Sequence, residues 1–171
     1  MDHYKSLIKY NIQSNQRVLA QLRDFPQHEF EKELGGSFPS LKLTIRHLLE
    51  SDWIWLKRWQ GEPLATLPTH WETNAVESIQ AIWEPIQDDI DAYFSVCLPD
   101  QLERSVRFTT KKGDTFALLL WQTINHVVNH GTYHRGQITN MVRMLGYQPV
   151  VTELFLFFNE NNRVEQSNTL S

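Results

Sequence analysis

The sequence predicts an all-α protein: a four-helix bundle with a small hairpin before the fourth helix and a short helix near the C-terminal end. Long stretches repeat apolar residues at three- and four-residue spacing, the period of a helix with one buried face. Gly and Pro fall mostly between these stretches, where they punctuate loops. Strand-like alternation is confined to one short segment, so a large sheet has no sequence to build it.

The first helix is expected over residues 2–23, with Tyr4, Leu7, Ile8, Val18, Leu19 and Leu22 near one face. Asn11 and Asn15 lie on or beside that stripe, either as satisfied core amides or as polar groups lining a cavity. Phe25-Pro26 stops the helix and Gly35-Gly36 marks a loop. Ser40 is placed to cap a second helix over 40–60, ended by Gly61 and Pro63. Its stripe runs Leu41, Ile45, Leu48, Leu49, Asp52, Trp55, Leu56 and Trp59, and the carboxylate of Asp52 within it requires a partner or water. A third helix is expected over 74–97, with Val76, Ile79, Ile82, Ile86, Ile90 and Tyr93 inward and a kink or local break at Pro85. Residues 104–110 alternate as a strand does, and Lys111-Lys112-Gly113-Asp114 supplies a turn. The fourth helix is expected over 116–145, stopped by Gly146 and Pro149, with a short apolar helix over 152–158. The chain therefore divides into a bundle domain, 1–158, and a polar tail, 159–171.

Composition narrows the function. A net charge of −4 without a concentrated basic patch argues against nucleic acid as a partner. The longest apolar runs are too short to span a bilayer, and residues 1–10 carry charges throughout, unlike a signal peptide. The single cysteine, Cys97, cannot form an internal disulfide and reads as a small hydrophobe rather than a nucleophile. A cytoplasmic location is the resulting expectation.

The histidines carry the chemistry. His126, His130 and His134 are each four residues apart, so on a helix they stack along one face. His130 and His134 fall inside the stripe defined by Leu119, Leu120, Thr123, Val127, Ile138, Met141 and Leu145, with His126 at its margin. Two inward imidazoles at this spacing can share one divalent metal. A third ligand is best sought on another helix, because His126 and His134 lie about 12 Å apart along their own helix. His47 fits, at the edge of the second helix's stripe between Thr44 and Ser51, which leave room beside the ring. The preferred metal set is His47, His130 and His134. His126 remains as a group orienting a ligand or as a core residue, and Asp52 or His126 as a possible general base. His3, His28 and His70 fall in a terminus or loops. Neither a zinc-protease pattern nor a Glu-x-x-His pair occurs, which argues against a metalloprotease helix and a di-iron bundle. Arg135, about 100° around the helix from His134, is expected at the surface or at a dimer contact, whereas Gln137 could orient a ligand imidazole.

The stretch His126-Val-Val-Asn-His130-Gly-Thr-Tyr-His134-Arg-Gly-Gln137-Ile resembles the fourth-helix signature of the DinB family, part of the DinB/YfiT-like superfamily of metal-binding four-helix bundles. Residues 40–61, with Thr44-Ile-Arg-His47 and Trp53-Ile-Trp55-Leu-Lys-Arg-Trp59, resemble its second-helix motif; Tyr10-Asn11 with Asn15 and Thr152-Glu-Leu-Phe-Leu-Phe-Phe resemble its first-helix and C-terminal patterns. The resemblance implies a divalent metal, nickel or zinc, on His47, His130 and His134, a homodimer, and a pocket on the metal's free side. Asp52 stands where Glu is common in the family. The function it implies is a metal-dependent transferase acting on small electrophiles, with a low-molecular-weight thiol as the group activated. The alternatives are a metal-dependent hydrolase and a non-catalytic stress-response bundle with a structural metal.

Overall fold

The computed structural model describes residues 2–110 and 112–169. It contains α1 (Asp2–Leu22), a single turn α2 (Gln27–Phe30), α3 (Leu41–Trp59) and α4 (Val76–Ser95). A 3₁₀ turn, Pro99–Glu103, leads into β1 (Ser105–Thr109), β2 (Thr115–Leu119), α5 (Leu120–Met144) and α6 (Leu154–Thr169).

The four long helices α1, α3, α4 and α5 form the bundle. α1 packs on α4 and α5, and α3 packs on the same two helices. The order around the bundle is therefore α1, α4, α3, α5, with α1 diagonal to α3. Residues 23–40 cross between those diagonal positions, and Phe30 of α2 is buried along the way.

Local chemistry sets the ends. Ser40 accepts a hydrogen bond from the Leu43 amide at 3.2 Å and starts α3. Gly61 (φ 95°) ends it in a conformation that glycine adopts without a Cβ clash. Every member of the stripe expected on α3, including Asp52, is buried. Trp59 and Trp83 are fully buried at the centre; Trp59 Nε1 donates to Thr123 Oγ1 (2.9 Å) and Trp83 Nε1 to Asp52 Oδ2 (2.9 Å). These bonds satisfy polar atoms that would be costly if left unpaired in a core.

Three expected boundaries change. α4 passes Pro85 unbroken, and the pyrrolidine sits exposed on the outer face. The expected hairpin is present, β1 pairing antiparallel with β2, but residues 116–119 form its second strand and the last long helix starts at Leu120. An apolar run feeding directly into a helix carries no periodicity that separates strand from first turn. α6 continues past 158 to Thr169, through most of the expected polar tail. Lys111 of the expected turn and residues 170 and 171 of the tail lie outside the described residues. Among the described residues, no helix is long and apolar enough to cross a membrane.

A candidate metal centre between two facing helices

Because α3 and α5 pack directly against each other, the inner edge of α3 meets the histidine face of α5. His47 and His130 are half-buried and His134 is 5% exposed. His130 Nε2 lies 3.1 Å from both His47 Nε2 and His134 Nε2. Tetrahedral nitrogens about 2.0–2.1 Å from one ion stand roughly 3.3 Å from each other, so the two edges that meet at His130 are within a few tenths of an ångström of a metal-binding triangle, and all three ligand atoms lie within 4.8 Å of one another. Among the described residues these three histidines form the one group of three or more ligating side chains close enough to share an ion. The donor set, imidazole nitrogens with no carboxylate or thiol, suits borderline transition metals rather than calcium or magnesium.

The surroundings orient the rings. Gln137 Oε1 accepts a hydrogen bond from His134 Nδ1 at 2.7 Å, which leaves His134 Nε2 as the nitrogen with a free lone pair. Ser51 Oγ lies 3.5 Å from His130 Nδ1. Phe38, from the loop before α3, stacks on His47 (4.2 Å between centroids, 21°) and touches His134 edge-on (5.5 Å). Burial, with the neighbouring His134, His47 and His126, lowers the His130 pKa to about 3. Burial also lowers that of His134, against the opposing pull of Gln137. Both rings are thus neutral at physiological pH, the state a metal requires.

The other candidates fall elsewhere. Asp52 is 4% exposed and committed to Trp83 on α4, so it is not positioned as a base at the histidines. His126 is exposed rather than core; its ring lies 5.1 Å from Trp55 and 5.8 Å from His130. His3, His28 and His70 are exposed, and Cys97 is buried with its thiol pKa pushed up by desolvation.

Arg135 departs most from expectation. It is 1% exposed, neither at the surface nor free for a dimer contact. Its Nη1 donates to Asn11 Oδ1 (2.7 Å) and Asn15 Oδ1 (2.8 Å), its Nη2 to Thr132 Oγ1 (3.0 Å), and its guanidinium lies over Tyr10 (5.3 Å). The rotation from His134 was right but its consequence was not. α5 is packed on two sides, so turning away from α3 brings a side chain against α1 rather than into water. The same network accounts for Asn11 and Asn15, whose amide oxygens are satisfied core acceptors.

The fold and the cluster together define a four-helix bundle whose facing helices present three histidines able to hold a metal. The chain belongs to the DinB family, whose family model matches residues 1–166. Among curated proteins it is similar to Protein DinB of Bacillus subtilis (strain 168), at 26% identity over 166 residues, covering 92% of this chain and 95% of that protein. Among solved structures it is similar to YfiT from Bacillus subtilis, with a TM-score of 0.69 at 13% identity, covering 86% of this chain and 90% of that one. YfiT is described as a probable metal-dependent hydrolase with an unusual four-helix bundle topology; the likeness to this chain lies in the fold.

Proposed function

We propose that the protein is a divalent-metal-dependent transferase that joins a low-molecular-weight thiol to small electrophiles, with nickel or zinc on His47, His130 and His134. The observation behind the reading is the three-imidazole triangle with no fourth ligating side chain among the described residues, since structural zinc sites are closed by four protein ligands and catalytic ones keep a position open. A bound ion would supply Lewis acidity, lowering the pKa of a thiol or water it holds. The residues themselves hold His130 and His134 neutral, aim Nε2 of His134 inward through Gln137, and cover one side with Phe38.

A thiol is favoured over water by the placement of Asp52. Hydrolysis gains from a carboxylate base beside the nucleophile, whereas a coordinated thiol loses its proton outright. The one buried carboxylate among the residues whose burial is described, Asp52, is held by Trp83 instead. Hydrolysis is the second reading, favoured by the description of YfiT and by His126 beside His130. A homodimer in the cytoplasm completes the proposal.

The test is elemental analysis of the purified protein, its His47→Ala and His130→Ala variants, followed by turnover of electrophiles with and without thiol. About one equivalent of metal, lost in both variants while the helical circular dichroism stays, supports the centre. Thiol-dependent turnover abolished by chelation supports the transferase. Turnover unchanged in His130→Ala would sink it, and chelator-sensitive turnover without thiol would favour the hydrolase.

A further inference from the structure

Beyond the three histidines, the same face of α3 continues through Ser51 and Trp55 to Arg58. The Arg58 guanidinium lies against two rings set at 66° to each other, 4.7 Å from the Trp55 centroid and 4.5 Å from that of Phe108 on β1. It donates to the Thr109 carbonyl oxygen at 3.3 Å, and among the described residues no carboxylate pairs with it. Its neighbour Lys57, by contrast, has Glu62 at 3.3 Å. A half-buried cation without a counter-ion is costly, and the ring faces offset only part of that cost.

Arg58 is also continuous with the metal centre. Trp55, beneath its guanidinium, lies 5.1 Å from the exposed His126, and His126 lies 5.8 Å from His130. Ser51 is level with His130, and the seven residues from Ser51 to Arg58 rise roughly 10 Å along α3.

We propose that Arg58, with His126 beside it, is the anion-recognition subsite of the three-histidine centre, and that the substrate or its thiol carries a carboxylate roughly 10 Å from the reacting atom. The assignment rests on the three-histidine reading for the position of that atom. A guanidinium held against two rings and by the Thr109 carbonyl has few orientations open to it and still carries N–H donors for a bidentate carboxylate.

Two probes that differ only at the far end test it: ω-mercaptooctanoate and ω-mercaptooctanol, whose chains span about the required distance. Each is titrated calorimetrically into zinc-loaded protein whose metal content has been measured. The expected result is that the wild type binds the carboxylate at least about tenfold more tightly than the alcohol. In Arg58→Met, which keeps the stem against the rings, that preference falls to within about twofold, with zinc content and alcohol affinity unchanged. Arg58→Lys, retaining charge without the fork, falls between, and it serves alone if the Met variant does not fold. Equal binding of both probes by the wild type, or a preference undiminished in Arg58→Met or Arg58→Lys, overturns the proposal.

Should the protein take up no zinc, the three-histidine reading fails separately, and benzoate added to the metal-free protein decides for Arg58. A saturable shift of the His126 imidazole resonances that is absent in Arg58→Met upholds the subsite. No shift in the wild type overturns it.

Discussion

Gln137 fixes the tautomer of His134, and a metal needs the nitrogen that this choice leaves free. Gln137→Leu fills similar space but accepts no hydrogen bond, so it lets the imidazole rotate and its two tautomers exchange. Metal affinity is expected to fall about 10–100-fold, read by competition with a chelator of known affinity, while circular dichroism stays unchanged. An unaltered affinity would show that packing by Phe38 suffices to orient the site. Asp52 supports a separate prediction. Burial pushes its pKa from 3.8 up to about 7, with the Trp83 hydrogen bond and the Arg135 charge pulling the other way. Between those values the folded protein holds a proton that the unfolded chain has released, so stability contributed by this site falls as pH rises through the window. Asp52→Asn keeps an acceptor for Trp83 Nε1 and removes the titration. The variant should therefore gain on the wild type, by about 2–4 kcal/mol, between roughly pH 4.5 and 7.5 in urea unfolding. The histidines titrate in both proteins and cancel from that difference. A difference that does not vary with pH would place the Asp52 pKa at its ordinary value.

At the scale of elements, the closest approach of α1 to α5 is set by Gly131. A Cβ there would meet Asn11 Oδ1 at 2.3 Å and Arg135 Nη1 at 2.8 Å. Gly131→Ala gains up to about 1 kcal/mol of helix propensity, yet it must separate the helices or break the Arg135 bonds to Asn11. A net loss of about 2–4 kcal/mol is expected from thermal or urea unfolding; a variant as stable as the wild type would mean that Asn11 and Arg135 repack freely. The sequence gives no sign of this glycine's role, because the Asn11 side chain it makes room for lies more than a hundred residues away. The buried stripe of α3 was legible because its apolar residues recur with the helical period, and so were Ser40 and Gly61 at its ends. His47, His130 and His134 were legible for a related reason: spacing brings two together and the stripe edge offers the third. Phe38 and the inward turn of Arg135 were not. The first lies in an aperiodic loop, and the second depends on which helices flank α5. The diagonal placement of α1 and α3 is likewise a property of the assembled bundle, with no local residue signal.

For the molecule as a whole, the histidine centre ties α3 to α5 across one edge of the bundle, and that tie has a thermodynamic signature. A ligand that binds only the folded state stabilises it in proportion to the logarithm of its concentration over Kd, about 2.7 kcal/mol at a hundredfold excess. For a chain of this length that corresponds to a rise in Tm of roughly 5–10 °C. Zinc or nickel added to the metal-free protein should therefore raise Tm by that amount, chelation should reverse it, and His130→Ala should abolish the response. Acid sharpens the test. Burial and the surrounding histidines hold the His130 pKa at about 3, against 6.5 for a free imidazole. Below about pH 6.5 the unfolded chain takes up a proton that the folded His130 refuses, so stability is present above that pH and is lost as pH falls toward about 3. The ion competes with few protons in the folded state, so the metal-induced rise in Tm should persist as pH drops from about 7.5 to 6. If the rise vanished over that interval, at least one ligand would be titrating near its ordinary value, and His130 and His134 would not be the neutral pair from which the proposed chemistry starts.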